Sequence, residues 1–371
     1  MPENDLLIDE IETDNGSKIG HITLNSPETL NSLTLAMVEG ISKQLKDWEK
    51  RNSLKAVLIE GTGEKAFCAG GDIRALYDSM IESPKKSMYA EEFFEKEYRL
   101  DYQLHKYPKP VISILDGIVM GGGAGLMLGS HYRVCTERTR FAMPEIGVGL
   151  FPDVGFTFFI NKLPEGLGKY MMLTATNLKA ADTQFCGLTN QYVDSSFLEN
   201  FYSRIKSIDW VDDVKSNQNF IENLLNQFNV PKNLDLLPQG MLEERLDKIR
   251  SLTKGDDLQK VVENILNNST DDEWFIAGQL GLENGCPTSA HIIWEQCKRS
   301  SELTLEEVFR FELNLAIQIT RRGDFSEGIR AVIIEKDNCP NWKFKTIAEV
   351  PPDWIQEHLE PAWKYNPLED I

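Results

Sequence analysis

The sequence predicts an α/β fold followed by a mainly helical C-terminal region. Three observations carry that reading. Near-continuous apolar runs that end in glycine, "LKAVLIEG" (Leu54 to Gly61) and "KPVISILDG" (Lys109 to Gly117), have the pattern of parallel strands buried on both faces. Segments of helical period lie between them, which is the layering of an α/β unit. After about residue 200 the texture shifts to amphipathic segments joined by polar linkers.

In chain order, "LLIDEIET" and "KIGHITLN" are short β-like runs, and "DNGS" (Asp14 to Ser17) between them suits a hairpin because Asn-Gly tolerates positive φ. "LTLAMVEGISKQLKDWEKR" then changes period, with Met37, Ile41, Leu45 and Trp48 on one helical face. The buried strand to Gly61 follows. Ser79 to Pro110 reads as a polar loop broken at Pro84, then a charged, aromatic helix ending before Pro108, with Phe93, Tyr98 and Tyr102 usable as one face. A surface helix over the sheet and a flap over a ligand are both open for it. "YRVCTE" (Tyr132 to Glu137) is a further strand. "IKSIDWVDDVKSNQNFIENLLNQFNVPKN" and "MLEERLDKIRSL" read as helices with polar linkers. "TLEEVFRFELNLAIQITRRGDF" opens with a capping box, Thr304 to Glu307, and carries Val308, Phe311, Leu315 and Ile319 on a stripe that stops at Gly323.

At 371 residues the chain is long for one core, and it divides by texture into a core over residues 1–200, holding the site, and a helical region over 201–371 that covers or supports it. Its formal charge of −19 makes it a poor general binder of nucleic acid, yet leaves room for one small anionic ligand. Six scattered cysteines without a CxxC argue against a disulfide framework or a zinc site, and for a reducing compartment. The acidic N-terminus lacks both an apolar signal core and a basic amphipathic transit pattern, so the expected location is cytoplasmic. Val111 to Ser130 has nearly membrane-spanning length, but Asp116-Gly117 and three consecutive glycines interrupt it, so no membrane partner is expected.

Three stretches are candidates for chemistry, although by residue type alone each also reads as an ordinary turn or as a loop that happens to carry two acids. "KAFCAGGDIRAL" (Lys65 to Leu76) and "DGIVMGGGAGLMLG" (Asp116 to Gly129) each run from a strand end through small residues into a helix start. Small residues let a ligand approach the backbone, and N–H groups at a helix start point out unpaired. Two such turns can give one N–H each to a single oxygen, an oxyanion hole. The third, "FAMPEIGVGLFPDVG" (Phe141 to Gly155), sets Glu145 and Asp153 among apolar residues, where charge is costly unless paired or used. Cys68 reads as packing behind its turn rather than as a nucleophile, and Asp72 as a helix cap. Lys65, Arg74, Arg138 and Arg140 are the basic residues near these stretches, with a solvated surface role as the default. No Ser-His-Asp arrangement is visible among the five histidines.

Taken in order, "AFCAGGDI", "GGGAG" and "FAMPEIGVGLFPDVG" resemble the signatures of the crotonase, or enoyl-CoA hydratase/isomerase, superfamily. With "ITLNSPETLNSLTLAMV" and the late "GDFSEGIRAVIIEKDNCPNWK", the set is similar to the 3-hydroxyisobutyryl-CoA hydrolase branch from about residue 5 to beyond 350. The resemblance implies a crotonase-like spiral of ββα turns. It implies backbone N–H donors at Gly71 and Gly122, an acidic pair at Glu145 and Asp153, and coenzyme A beside Ala66, Phe67, Ala69, Gly70 and Asp72, with Gly121 and Gly123 also at the substrate. It implies hydrolysis of a short branched 3-hydroxyacyl-CoA, with Glu145 as nucleophile or as base toward water. No metal is implied, and no cofactor beyond the coenzyme A of the substrate. Hydratases of the superfamily carry a glutamate where this chain has Gly125, and usually glycine where it has Asp153. Phe156, where a small residue is common in the branch, either narrows the acyl pocket or faces the core. An enoyl-CoA hydratase/isomerase and a non-catalytic coenzyme A-binding or scaffold protein are the alternatives. The superfamily often forms trimers and pairs of trimers, so a homo-oligomer is compatible with the resemblance.

Overall fold

The structure, a computed structural model, describes residues 5–228 and 239–371. Residues 229–233, the end of the stretch over 205–233 read as helices with polar linkers, therefore lie outside the described residues. Two compact units interleave along the chain. The first comprises Met1–Gly71, Leu100–Phe141 and Leu178–Glu243; the second comprises Asp72–Arg99, Ala142–Asn177 and Glu244–Ile371.

The first unit is built on a sheet. Strands β1 (Leu6–Glu12) and β2 (Lys18–Leu24) form the expected hairpin, and Gly16 in its turn has φ +80°. β3 (Leu54–Gly61) covers the apolar run the sequence marks out. Then come β4 (Ala66–Cys68), β5 (Val111–Leu115), β6 (Ile118–Met120), β7 (Tyr132–Cys135), β8 (Arg140–Ala142), β9 (Leu178–Lys179) and β10 (Gln191–Tyr192). The larger sheet has the order β1-β2-β3-β5-β7-β10, parallel from β2 onward, and the smaller one β4-β6-β8-β9. Successive turns of chain thus place β3, β5 and β7 in one sheet and β4, β6 and β8 in the other, the spiral the resemblance implies. Helix α1 (Leu35–Glu49) buries Met37, Ile41, Leu45 and Trp48 as its period predicts. The Trp48 ring lies so close over Gly20 that a Cβ there would sit 2.5 Å from Cζ3.

From Leu198 onward every regular element among the described residues is helical. Helix α2 (Ile73–Glu82) extends through Ser79–Glu82, where the sequence suggests loop, because Met80 is buried and the chain breaks only before Pro84. Helix α3 (Met88–His105) ends before Pro108 as expected. It is not a surface helix: Ala90, Phe93, Phe94, Glu97, Tyr98, Leu100, Asp101 and Leu104 are all buried. Among the described residues no helix is long and apolar enough to cross a membrane.

Candidate active site

Within the first unit the two glycine turns lie side by side. The Leu33 N–H donates to the Gly70 carbonyl at 2.8 Å, and the Ala69 N–H to the Leu30 carbonyl at 3.0 Å, which pins the end of β4. Gly70 has φ +120°, a conformation side chains rarely adopt, and a Cβ on it would be 3.7 Å from the Met120 carbonyl oxygen and 4.0 Å from the Gly122 nitrogen. Gly122 opens helix α4 (Gly122–Leu128) with Gly121 as its cap, so no carbonyl within the helix can accept its N–H. Ala66 and Phe67 are buried, and the Ala66 carbonyl accepts the Asn31 Nδ2–H at 2.8 Å. Cys68 is buried with Sγ 3.5 Å from the Gly70 carbonyl oxygen, a packing role. Asp72 caps α2 by accepting the Ala75 N–H at 3.1 Å. Arg138 pairs with Asp116, Nε to Oδ1 at 2.8 Å, so its charge is already engaged. At Gly125, a Cβ would lie 2.6 Å from both carboxylate oxygens of Asp101 on α3.

Within the second unit Glu145 and Asp153 are both buried, with Gly147 and Val148 between them half-buried. Glu145 begins a short 3₁₀ turn (Glu145–Val148) and is 5% exposed. Its Oε2 accepts no hydrogen bond among the described residues. Asp153 is 3% exposed and accepts the Tyr98 hydroxyl at 2.6 Å. Val154 and Gly155 follow with φ 52° and 85°. A β-branched residue in the left-handed region costs about 1–3 kcal/mol and persists only where its surroundings over-determine it. Phe156 is fully buried.

The surroundings of Asp153 hold three groups the sequence reading did not single out as functional. Glu97, one residue before Tyr98, is buried, and its Oε1 accepts no hydrogen bond among the described residues. Glu312, on the helix Leu305–Thr320, accepts the Gly155 N–H at 2.7 Å and the Thr157 N–H at 3.0 Å. Gln296, on the helix Pro287–Arg299, donates to the Pro152 carbonyl at 2.6 Å. Phe311, assigned to the buried stripe from sequence, is only half-buried, and Glu312 occupies that face instead. The signal was present: Glu312 is four residues after Val308 and three before Leu315.

Burial and mutual repulsion set the charges here. Burial, then the Asp153 charge, holds the Glu145 and Glu97 carboxyls well above the ordinary range. Burial raises Asp153 to about 6, opposed by the hydrogen bond from Tyr98. Burial raises Glu312 to about 8 despite its hydrogen bonds, with the Asp153 charge adding to the rise. A carboxyl raised on folding binds more protons in the native state, so its stabilisation is full below the unfolded value and is lost as pH rises through the folded one. The rings of His131 and His358, lowered by burial, act in the opposite sense, but only below their ordinary value of 6.5. Stability should therefore fall between about pH 7 and pH 8.5, through the Glu312 range. Urea unfolding at constant ionic strength checks this, and a midpoint that rises over that window would contradict the raised carboxyls.

Among the described residues no group of three or more His, Cys, Asp or Glu is arranged to hold a metal ion. A family profile described as enoyl-CoA hydratase/isomerase matches residues 19–359. The chain is 38% identical to a Homo sapiens protein named "3-hydroxyisobutyryl-CoA hydrolase, mitochondrial", over 92% of this chain and 86% of that one. It is 37% identical to the Danio rerio protein of the same name, over the same shares. Among solved structures it is similar to a carnitinyl-CoA dehydratase from Mycobacterium thermoresistibile, 30% identical with a TM-score of 0.85 over 99% of each chain. It is also similar to an enoyl-CoA hydratase from Rhodobacter sphaeroides, 27% identical with a TM-score of 0.83 over 97% of this chain and 98% of that one.

Proposed function

Because the chain belongs to the enoyl-CoA hydratase/isomerase family, we propose that it hydrolyses a short branched 3-hydroxyacyl-CoA, 3-hydroxyisobutyryl-CoA foremost, to the free hydroxy acid and coenzyme A. The relatives named for that reaction support it. The observation that carries the chemistry is the buried pair of carboxyls, Glu145 and Asp153, each raised by burial. Gly125, where hydratases hold a second glutamate, supports hydrolysis over addition to an alkene.

In this reading the N–H groups of Gly71 and Gly122 receive the charge that develops on the thioester oxygen. Losing one such donor costs about 3–4 kcal/mol of barrier. Glu145, deprotonated, either attacks the carbonyl carbon to form an anhydride or takes a proton from the attacking water. By either route one water is consumed, the C–S bond breaks, the thiolate takes up a proton, and the acyl group leaves as the acid. The reaction needs no cofactor. Asp153, raised by burial to about 6, holds the substrate hydroxyl or a water and exchanges a proton.

Release of free thiol tests the proposal: 3-hydroxyisobutyryl-CoA should be cleaved faster than acetyl-CoA. Loss of crotonyl-CoA absorbance without thiol release would assign a hydratase instead, and coenzyme A binding with no turnover of any acyl-CoA would assign a binding protein. Asp153→Asn keeps a group able to hydrogen-bond a hydroxyl but removes the charge. Its turnover should fall more on the 3-hydroxyacyl substrate than on an acyl-CoA lacking that hydroxyl. Equal losses on the two substrates would remove the recognition role and leave only the proton.

A further inference from the structure

The backbone around Asp153 is gripped on both sides. Before it, Gln296 Nε2 donates to the Pro152 carbonyl at 2.6 Å and to Thr157 Oγ1 at 2.8 Å. After it, Glu312 Oε2 accepts the Gly155 N–H at 2.7 Å and Oε1 accepts the Thr157 N–H at 3.0 Å. Glu312 and Gln296 are both fully buried. Between these grips lie the two left-handed residues, Val154 and Gly155.

Gly155 caps the short helix Phe156–Phe159. The ordinary way to satisfy such N–H groups is a Ser, Thr, Asn or Asp at the cap itself. Here the cap has no side chain, and the acceptor is a buried carboxyl 157 positions away in sequence. A buried carboxyl is a costly way to provide an acceptor. What it adds is direction: two oxygens fixed in one plane meet two donors on alternate residues, which sets the orientation of the turn. The Asp153 carboxylate at its head then meets Tyr98 at 2.6 Å.

We propose that Glu312 is a positioning residue for Asp153: it holds the Val154–Gly155 turn so that the Asp153 carboxylate is presented in one direction, and Gln296 seconds it from the other side. The proposal rests on the reading of Asp153 as a reacting acid in thioester hydrolysis. Glu312→Gln leaves one acceptor oxygen and turns an N–H₂ toward the second backbone donor. The turn loses one hold and gains a donor–donor conflict.

The experiment is a cycle on the full chain. Glu312→Gln is measured alone and in the Asp153→Asn background, by thiol release from 3-hydroxyisobutyryl-CoA with kcat and KM resolved, alongside the melting temperature. Single turnovers with enzyme in excess keep the slow variants measurable. In the wild-type background Glu312→Gln should lower kcat by about 10²-fold, the scale of an ångström-sized misplacement, and leave KM little changed. In the Asp153→Asn background the same substitution should cost under about threefold, because residues that act as a unit do not add. An unchanged kcat, or the same factor in both backgrounds, overturns the proposal, since a general loss of structure would not depend on residue 153. If Glu312→Gln does not fold, Gln296→Met carries the same cycle with the same pattern at a smaller factor. No thiol release by the wild type overturns the hydrolase reading and this proposal with it. Release by the wild type with equal losses overturns this proposal alone.

Discussion

Glu145→Gln is expected to lower thiol release by roughly 10²–10⁴-fold, the contribution of a positioned acid–base group, while the protein still folds and still binds coenzyme A. Glutamine keeps the shape of the side chain and removes the nucleophile or base. The fold should tolerate it because the Glu145 carboxyl stabilises the native state poorly. It is buried, its Oε2 accepts no hydrogen bond among the described residues, and burial together with the Asp153 charge opposes its ionisation. The neutral amide removes that penalty, so stability at about pH 8 should hold or rise as activity collapses. Thiol release, calorimetric binding of coenzyme A and circular dichroism on the same preparation separate the two effects. Wild-type turnover by a folded Glu145→Gln protein would end the proposed mechanism.

Gly123→Ala should damage both stability and turnover. A Cβ there would sit 2.3 Å from the Cys68 carbonyl oxygen and 2.8 Å from the Cys68 Cβ. The first is backbone, so no side-chain rotation relieves it, and β4 or α4 must move. Overpacking of this kind costs about 1–3 kcal/mol, and a shift approaching 1 Å at a donor turn costs about 10²-fold in rate. Gly147→Ala is the matched control. It lies two residues after Glu145, yet a Cβ there meets nothing within 4 Å. Thermal melts and thiol release should separate the two alanines, and equal behaviour would mean the turns are not held as tightly as their contacts imply.

What was legible in the sequence was what is local. The hairpin at Asn15-Gly16, the α1 stripe, β3 and the two glycine turns each depend on a short run of residues, and each is where the sequence places it. The stretch carrying Glu145 and Asp153 was legible for the same reason. The groups around Asp153 were not, because Glu97 and Tyr98 on α3, Gln296 and Glu312 come from three helices far away in sequence. Helical period finds the apolar face and discards the charges on it. On the helix Leu305–Thr320 that led to Phe311 in place of Glu312, and on α3 the choice of Phe93, Tyr98 and Tyr102 passed over Glu97 and Asp101. A carboxylate at helical spacing among core positions is the signal that finds such groups. Nor does texture show that Asp72–Arg99 and Ala142–Asn177 gather with the C-terminal helices in one compact unit.

The contact at Gly125 bears on how chemistries diverge within a family. The space a glutamate there needs is taken by the end of another side chain, since the first carbon of any side chain at 125 would meet the Asp101 carboxylate, as it now lies, at 2.6 Å. A side chain at this position therefore competes with Asp101 for the same place. A carboxylate at 125 would have to displace the Asp101 side chain, and two carboxylates brought together in one buried place repel each other. Positions 101 and 125 are thus coupled through space: which carboxylate occupies this buried place depends on which of the two residues carries one.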